Sequence, residues 1–292
     1  MNKTQTKRAL GAHCSIAGGL WKAVERADKL GGTALQIFTR NQVQWKIPHL
    51  SEEDVSKFRE AVNDYQIKFV CAHASYLVNL ATPDDELRRR SINALVKDMQ
   101  RGERLGCECL VFHPGSHKGK GTEYGCTRVA EAVEEILTAT DDSTIKLAIE
   151  NTAGQGNTLG GTLQDLATIR EYAGNPQRLG MCLDTAHAFA AGLNFSDKPE
   201  LNAMLKKIDN AFGLNNLLVL HLNDSKTECG SNHDRHDHIG HGFIGDAGFK
   251  NILNHPDISG VPGILETPKE MAGTENADAE NLTRILLACK PG

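Results

Sequence analysis

The stretch CLVFHPGSH, residues 109–117, holds four apolar side chains that stop on His113. The same grammar returns along the chain. KFVCAH (68–73) stops on His73, KLAIE (146–150) on Glu150, LGMCLD (179–184) on Asp184 and PGILE (262–266) on Glu266, while LLVLHL (217–222) carries His221. A short apolar run that ends on a metal-type side chain is what a buried parallel strand looks like when it delivers a ligand to the mouth of a barrel. Two further runs, ALGAHC (9–14) and ALQIF (34–38), bring the strand-like segments to eight. Amphipathic stretches at 18–30, 51–65, 85–105, 126–140, 162–173, 199–212, 246–254 and 276–289 follow them in turn. Ser51 before EED and Thr162 before LQDL are placed to cap two of these as helices. Strand and helix alternating eight times predicts an α/β fold, a (β/α)8 TIM barrel forming a single domain over residues 1–292.

Composition agrees with one barrel. The 292 residues sit near the roughly 250 of a typical (β/α)8 domain, and 40% hydrophobic with 5% aromatic suits a core of Val, Ile, Leu and Ala. The N-terminal MNKTQTKRAL lacks the apolar stretch of a signal peptide, and no run approaches the ~20 apolar residues of a membrane span. The expectation is a cytoplasmic, intracellular protein with no membrane partner. Eight cysteines are scattered without any C-x-x-C pair, which predicts reduced thiols packed as small buried hydrophobes. A net charge of −5 argues at first against a polyanionic partner. Three bound divalent ions would carry the chain just past neutrality and concentrate positive potential at the site mouth.

Nine side chains of metal-ligand type are candidates: His73, His113, Glu150, Asp184, His187, His221, Asp234, His236 and Glu266. A lone histidine at a strand end is ordinarily a hydrogen-bonded core residue, and Asp184 before a helix is ordinarily its N-cap with His187 satisfied nearby. The weight shifts when neighbouring strands repeat the pattern. Asp234 and His236 flank Arg235, and in an extended segment such alternation puts both on one side, as chelation requires. His233, His238 and His241 in the same loop fit equally a supporting or a solvated role. Glu266 after PGIL would be costly to bury without a partner. Nine groups are too many for one ion, so the chain reads as a multinuclear metalloenzyme, and phosphoester hydrolysis is the chemistry that most wants several metals together. The irregular segments 151–161 and 223–245 are of a length that is usually functional, and the glycines of TAGQGNTLGG match no nucleotide-binding fingerprint.

HASYLVNL (73–80), FHPGSH (112–117), IENTAGQG (149–156), CLDTAHAFAAG (182–192), HLNDSK (221–226) and DRHDHIG (234–240) together resemble endonuclease IV, the zinc-dependent apurinic/apyrimidinic endonuclease family. The resemblance runs from GAHCSIAGG (11–19) to LET (265–267). It implies a DNA repair enzyme of the deoxyribonuclease IV type, cutting duplex DNA 5′ to an abasic site and leaving a 3′-hydroxyl and a 5′-deoxyribose phosphate. It implies three Zn2+ per chain, with Mn2+ possible at some positions. One ion would rest on His73, His113 and Glu150, a second on Glu150, Asp184, His221 and Glu266, and a third on His187, Asp234 and His236. A hydroxide held between two ions would attack phosphorus, with Glu150 and Glu266 as the catalytic carboxylates. FTRNQVQW (38–45) and the turn at Tyr76 and Leu77 correspond to the family's DNA-penetrating loops, making Arg40, Asn41, Gln44, Tyr76 and Leu77 the expected DNA contacts. The resemblance also implies a monomer working at the nucleoid. Val43 stands where family members often carry Arg, and His241 where an acidic residue is common.

Two other readings compete. A metal-dependent sugar isomerase or epimerase of the xylose isomerase type uses similar residues at strand ends, but has no use for His187, Asp234 and His236 as a third group. A noncatalytic binder of damaged DNA has no need of an intact ligand set. Nine donors of mixed imidazole and carboxylate character predict close to three transition-metal ions per purified chain, mainly zinc. Elemental analysis checks this, and one ion or none in an active preparation contradicts it.

Overall fold

The computed structural model describes residues 8–274 and 276–289. Eight parallel strands close into a barrel: β1 (Leu10–His13), β2 (Ala34–Phe38), β3 (Phe69–His73), β4 (Cys109–Phe112), β5 (Lys146–Glu150), β6 (Leu179–Asp184), β7 (Leu217–His221) and β10 (Gly263–Leu265). Neighbours in the barrel are neighbours in sequence, and β10 closes the ring between β7 and β1. All eight expected strands are present, each trimmed by at most two residues.

Side-chain alternation explains why the donors gather at one end. The barrel interior is filled by Ala34, Phe69, Cys71, Cys109, Val111, Ala148, Cys182, Val219 and Ile264. Two residues further along their strands, on the same inward face, stand Gln36, His73, His113, Glu150, Asp184, His221 and Glu266. Each apolar plug is thus followed toward the C-terminal mouth by a polar group. A second, larger apolar layer lies between the barrel and its helices.

The helices are α1 (Leu20–Lys29), α2 (Glu52–Asp64), α3 (Asp85–Leu105), α4 (Thr122–Thr138), α5 (Leu163–Tyr172), α6 (Thr185–Ala190), α7 (Lys198–Phe212), α8 (Gly245–Leu253) and α9 (Ala277–Ala288). Ser51 and Thr162 cap α2 and α5, accepting from the Asp54 and Asp165 amides. The short α6, outside the amphipathic stretches read from the sequence, starts directly on β6, with Asp184 as its cap. Among the described residues no helix is long and apolar enough to cross a membrane. Six cysteines are buried, as expected, but Cys229 is exposed in a loop turn and Cys289 is half-buried at the end of α9.

The irregular segment 223–245 has a hidden centre. The buried Asp224 carboxylate accepts from the amides of Ser225 (2.8 Å), Gly240 (2.9 Å), Gly242 (3.1 Å), Ile244 (2.9 Å) and Gly245 (3.3 Å). A Cβ on Gly242 would lie 2.3 Å from the Ser225 carbonyl oxygen and 2.6 Å from Asp224 Oδ1, so only glycine fits there. A two-stranded ladder, β8 (Asp224–Ser225) with β9 (His236–Asp237), then holds the loop against the mouth.

The β2–α2 loop is pinned by α3. Arg40, only 3% exposed, meets Asp98 through Nε (2.9 Å) and Nη2 (3.0 Å), and Thr39 Oγ1 donates to the same carboxylate at 2.7 Å. Removing one partner of a buried, hydrogen-bonded ion pair leaves the other uncompensated, at a cost of about 3–5 kcal/mol. Asp98→Ala is therefore expected to lower unfolding free energy by about that amount in urea denaturation.

Candidate metal centre

The nine expected donors converge at the barrel mouth. Glu150, fully buried at the end of β5, is the hub. Its Oε2 lies 3.2 Å from His73 Nε2 and 3.4 Å from His113 Nε2, while Oε1 lies 2.9 Å from His221 Nδ1 and 3.4 Å from His187 Nδ1. His221 Nδ1 also stands 3.2 Å from Glu266 Oε2 and 3.9 Å from Asp184 Oδ2. On the far side His236 Nε2 is 3.7 Å from Asp184 Oδ2.

Donor atoms close enough to share an ion form three main groups: His73, His113, Glu150; then Glu150, Asp184, His221, Glu266; then Asp184, His187, His236. Glu150 belongs to the first two and Asp184 to the last two, so two carboxylates link three groups. Asp234, expected in the third, approaches from the half-exposed rim, 3.2 Å from His187 Nε2 and 3.4 Å from His236 Nε2. Asp184 also resolves the choice between helix cap and ligand. Oδ1 accepts the His187 amide at 2.8 Å, while Oδ2, which takes the Asn223 side-chain amide at 2.7 Å, faces the cluster.

The chemistry of the donor set fits divalent cations. Four imidazoles are anchored through one ring nitrogen on an oxygen: His73 Nδ1 on Ala74 O (2.8 Å), His187 Nδ1 on Asn151 O (3.0 Å), His236 Nδ1 on Glu266 O (3.2 Å) and His221 Nε2 on Gln36 Oε1 (2.9 Å). In the neutral ring, an N–H donated outward leaves the other nitrogen as a lone pair aimed at the cluster; in the protonated ring that nitrogen donates to the carboxylates instead. Among the described residues His236 Nε2 is buried there without a hydrogen-bond partner.

Electrostatics point the same way. Burial alone would raise the Glu150 carboxyl, but the His221 and His113 rings and hydrogen bonds from His187 and His221 hold it well below the usual carboxylate range. Glu266, likewise desolvated, is held well below chiefly by the His221 ring. Burial would also raise Asp234, yet the His187 hydrogen bond brings it to about 2. For His187 and His221 burial works downward and is outweighed by neighbours, Asp184 for the first and Cys182 and Glu266 for the second, which push both rings well up. Four clustered carboxylates thus demand positive charge, and an imidazole that attracts a proton so strongly is equally a base toward a cation.

Two adjoining cavities of about 460 and 270 Å³ open above the cluster, both lined by His73, Tyr76, His113, His187 and Asp234. A larger one, about 800 Å³, lies between α5 and α7 and contains none of the nine donors. Tyr76 is 67% exposed, edge-on to Phe38 at 5.3 Å, and Val43 is 61% exposed on the neighbouring loop. Ser75 Oγ donates to Gln42 O at 2.6 Å and ties the two loops together. Asn41 and Gln44 are exposed, and Leu77 is half-buried. Arg40 departs from expectation: its guanidinium is spent on Asp98 and the Gln44 carbonyl, so it shapes the loop rather than facing outward.

Of the loop histidines, His238 is buried between Asn281 and the Glu270 carbonyl, while His233 and His241 are exposed. The sequence reading missed His13, Gln36, Asn151, Asn223 and Cys182. His13 ends β1 as the other donors end their strands, so the same signal could have found it; Nδ1 lies 3.3 Å from Glu266 Oε1. Cys182 stands one inward layer below Asp184, close to Glu150 and His221.

Residues 24–288 match the family model described as a xylose isomerase-like TIM barrel. The structure of a D-tagatose 3-epimerase-like protein superposes with a TM-score of 0.72 at 19% identity, covering 95% of this chain and 96% of that one, which shows the fold alone. The crystal structure of endonuclease IV from Thermus thermophilus matches with a TM-score of 0.83 at 36% identity, over 96% of this chain and 98% of that one. A probable endonuclease 4 from Oleidesulfovibrio alaskensis is 44% identical over 289 residues, 99% of this chain and 97% of its own length. Another, from Halothermothrix orenii, is 42% identical over 275 residues, 94% and 99% of the two chains. With such identity sustained over nearly the whole length, the chain belongs to the endonuclease IV family.

Proposed function

We propose that this chain is a DNA repair endonuclease that hydrolyses the phosphodiester bond 5′ to an abasic site in duplex DNA, leaving 3′-hydroxyl and 5′-deoxyribose phosphate ends, with three divalent cations, chiefly Zn2+, as cofactors. The observation that carries the reading is the chain of three donor groups joined by Glu150 and Asp184. His73, His113 and Glu150 would hold one ion, Glu150, Asp184, His221 and Glu266 a second, and His187, His236 and Asp234 a third. When bound, such ions supply Lewis acidity toward phosphate oxygens and lower the pKa of water.

The chain's own residues set the geometry. Glu150 offers one oxygen to each of two groups and so fixes their separation; Glu266 presents Oε2 beside His221 while Oε1 is held by Gln36. No separate general base is required of the protein. Tyr76 lines both cavities, and with its neighbour Leu77 it would fill the gap left by an unstacked, baseless nucleotide. Exposed Lys46, Lys118 and Lys226 on loops at the same face are suited to phosphate contacts. Phe243, exposed beside the β8–β9 ladder, where its backbone N–H donates to the Ser225 carbonyl, adds an apolar face that sequence reasoning overlooked.

The test is incubation with a duplex carrying one abasic site, with parent and Glu150→Gln compared for strand scission and thermal melting. Parent is expected to cut at the lesion, and Glu150→Gln to lose cleavage with its fold intact, because an amide cannot bridge two ions. Substantial residual cleavage would show that Glu150 is not a bridge.

Tyr76→Ala is expected to weaken binding to abasic duplex by ~1 to 3 kcal/mol, the range for loss of a stacking contact, with little change for undamaged duplex. Titration with both duplexes at one salt concentration checks it, and an equal loss on both contradicts the wedge.

A further inference from the structure

Gln36 sits inside the barrel on β2, fully buried, in register between His13 on β1 and Cys71 on β3. A buried carboxamide in a barrel interior needs partners for two donors and two acceptor sites. Here all four are met. Oε1 accepts from His221 Nε2 at 2.9 Å and from Cys71 Sγ at 3.3 Å. Nε2 donates to Glu266 Oε1 at 2.6 Å and to His13 Nδ1 at 3.0 Å. One amide therefore accepts a hydrogen bond from one member of the donor cluster and donates one to another.

We infer that Gln36 is a positioning residue that fixes the tautomer of His221 and the orientation of Glu266, and so sets cation retention at the group these two share with Glu150 and Asp184. The amide can face only one way. Rotated by half a turn, its oxygen would oppose the Glu266 carboxylate, and its NH2 would force His221 Nε2 to accept, moving the ring proton to Nδ1. That nitrogen is the one 2.9 Å from Glu150 and 3.2 Å from Glu266, where a lone pair is needed. The residue type is equally constrained. A carboxylate could accept from His221 but would repel Glu266, an ammonium could serve Glu266 but not His221, and Asn is one methylene too short to span both. The partners that orient ligating histidines and carboxylates typically govern affinity by about 10- to 100-fold.

This inference rests on the proposed cation binding, and the experiment separates the two. Parent, Gln36→Met and Gln36→Glu are loaded with Zn2+ and challenged with a chromophoric chelator, which counts ions released and their rates. Melting temperature and 15N NMR of the histidine rings are measured on the same samples. Gln36→Met keeps the volume but loses the hydrogen bonds to His221 and Glu266 along with those to His13 and Cys71; one ion should leave about 10- to 100-fold faster than in the parent, and the His221 ring should lose its single tautomer. Gln36→Glu should keep the His221 tautomer yet still release that ion faster, because the bond to Glu266 is gone. Parental release rates in both variants overturn the inference. So does a lowered melting temperature with unchanged release, since Gln36 would then be a core filler. If Gln36→Met does not fold, the Gln36→Glu rates alone decide. A parent that binds no zinc at all refutes the proposed function rather than the role of Gln36.

Discussion

Placing Glu150 at zero exposure is costly unless its charge is compensated, and four imidazoles compensate it from four different strands or their loops. That shared carboxylate sets the terms for the rest of the molecule. The strands must end at the same height, so that His73, His113 and His221 reach one point. The layer beneath must be small, which Ala148, Val219 and the cysteines provide. The loops above must supply the remaining donors. Asp184 repeats the device one step outward, serving α6 with one oxygen and the cluster with the other.

Much of this was legible in the sequence because the donors interrupt apolar runs. A hydrophobic stretch broken at its C-terminal end by His, Asp or Glu announces both a strand and what the strand presents. The same signal failed where the polar residue lies inside the run: Gln36 in ALQIF reads as ordinary alternation, and only the closed barrel shows that its face is interior. His13, which ends β1, carried the same signal as the donors and was passed over. Arg40 illustrates the opposite error. A basic residue in a polar loop looks free for a nucleic acid, and only the packing of α3 brings Asp98 beneath it. Asp184 looked like a choice between cap and ligand because a sequence cannot show that two oxygens serve different partners.

Rigidity at the rim has a similar origin in buried polar contacts. The β2–α2 loop is tied to α3 by Arg40 with Asp98, by Arg101 to the Thr39 carbonyl at 2.7 Å, and by Arg90 over the Trp45 ring at 4.5 Å. Ser75 couples it to the turn that carries Tyr76. The exposed side chains of both loops thus project from backbone that is already ordered, so little conformational entropy remains to be lost when a partner covers them. Val43, exposed on this ordered scaffold, gives the rim an apolar contact.

The closure of β10 between β7 and β1 has a consequence for how the protein is made. The donors are spread from His73 to Glu266, and the last barrel strand belongs to the final tenth of the 292 residues. Until Gly263–Leu265 joins the ring, Glu266 is not in place and the group that it shares with His221 stays open. A cation site built from one contiguous segment can be filled during synthesis. This one is a product of the finished ring, and its donors come together only once β10 has closed the barrel.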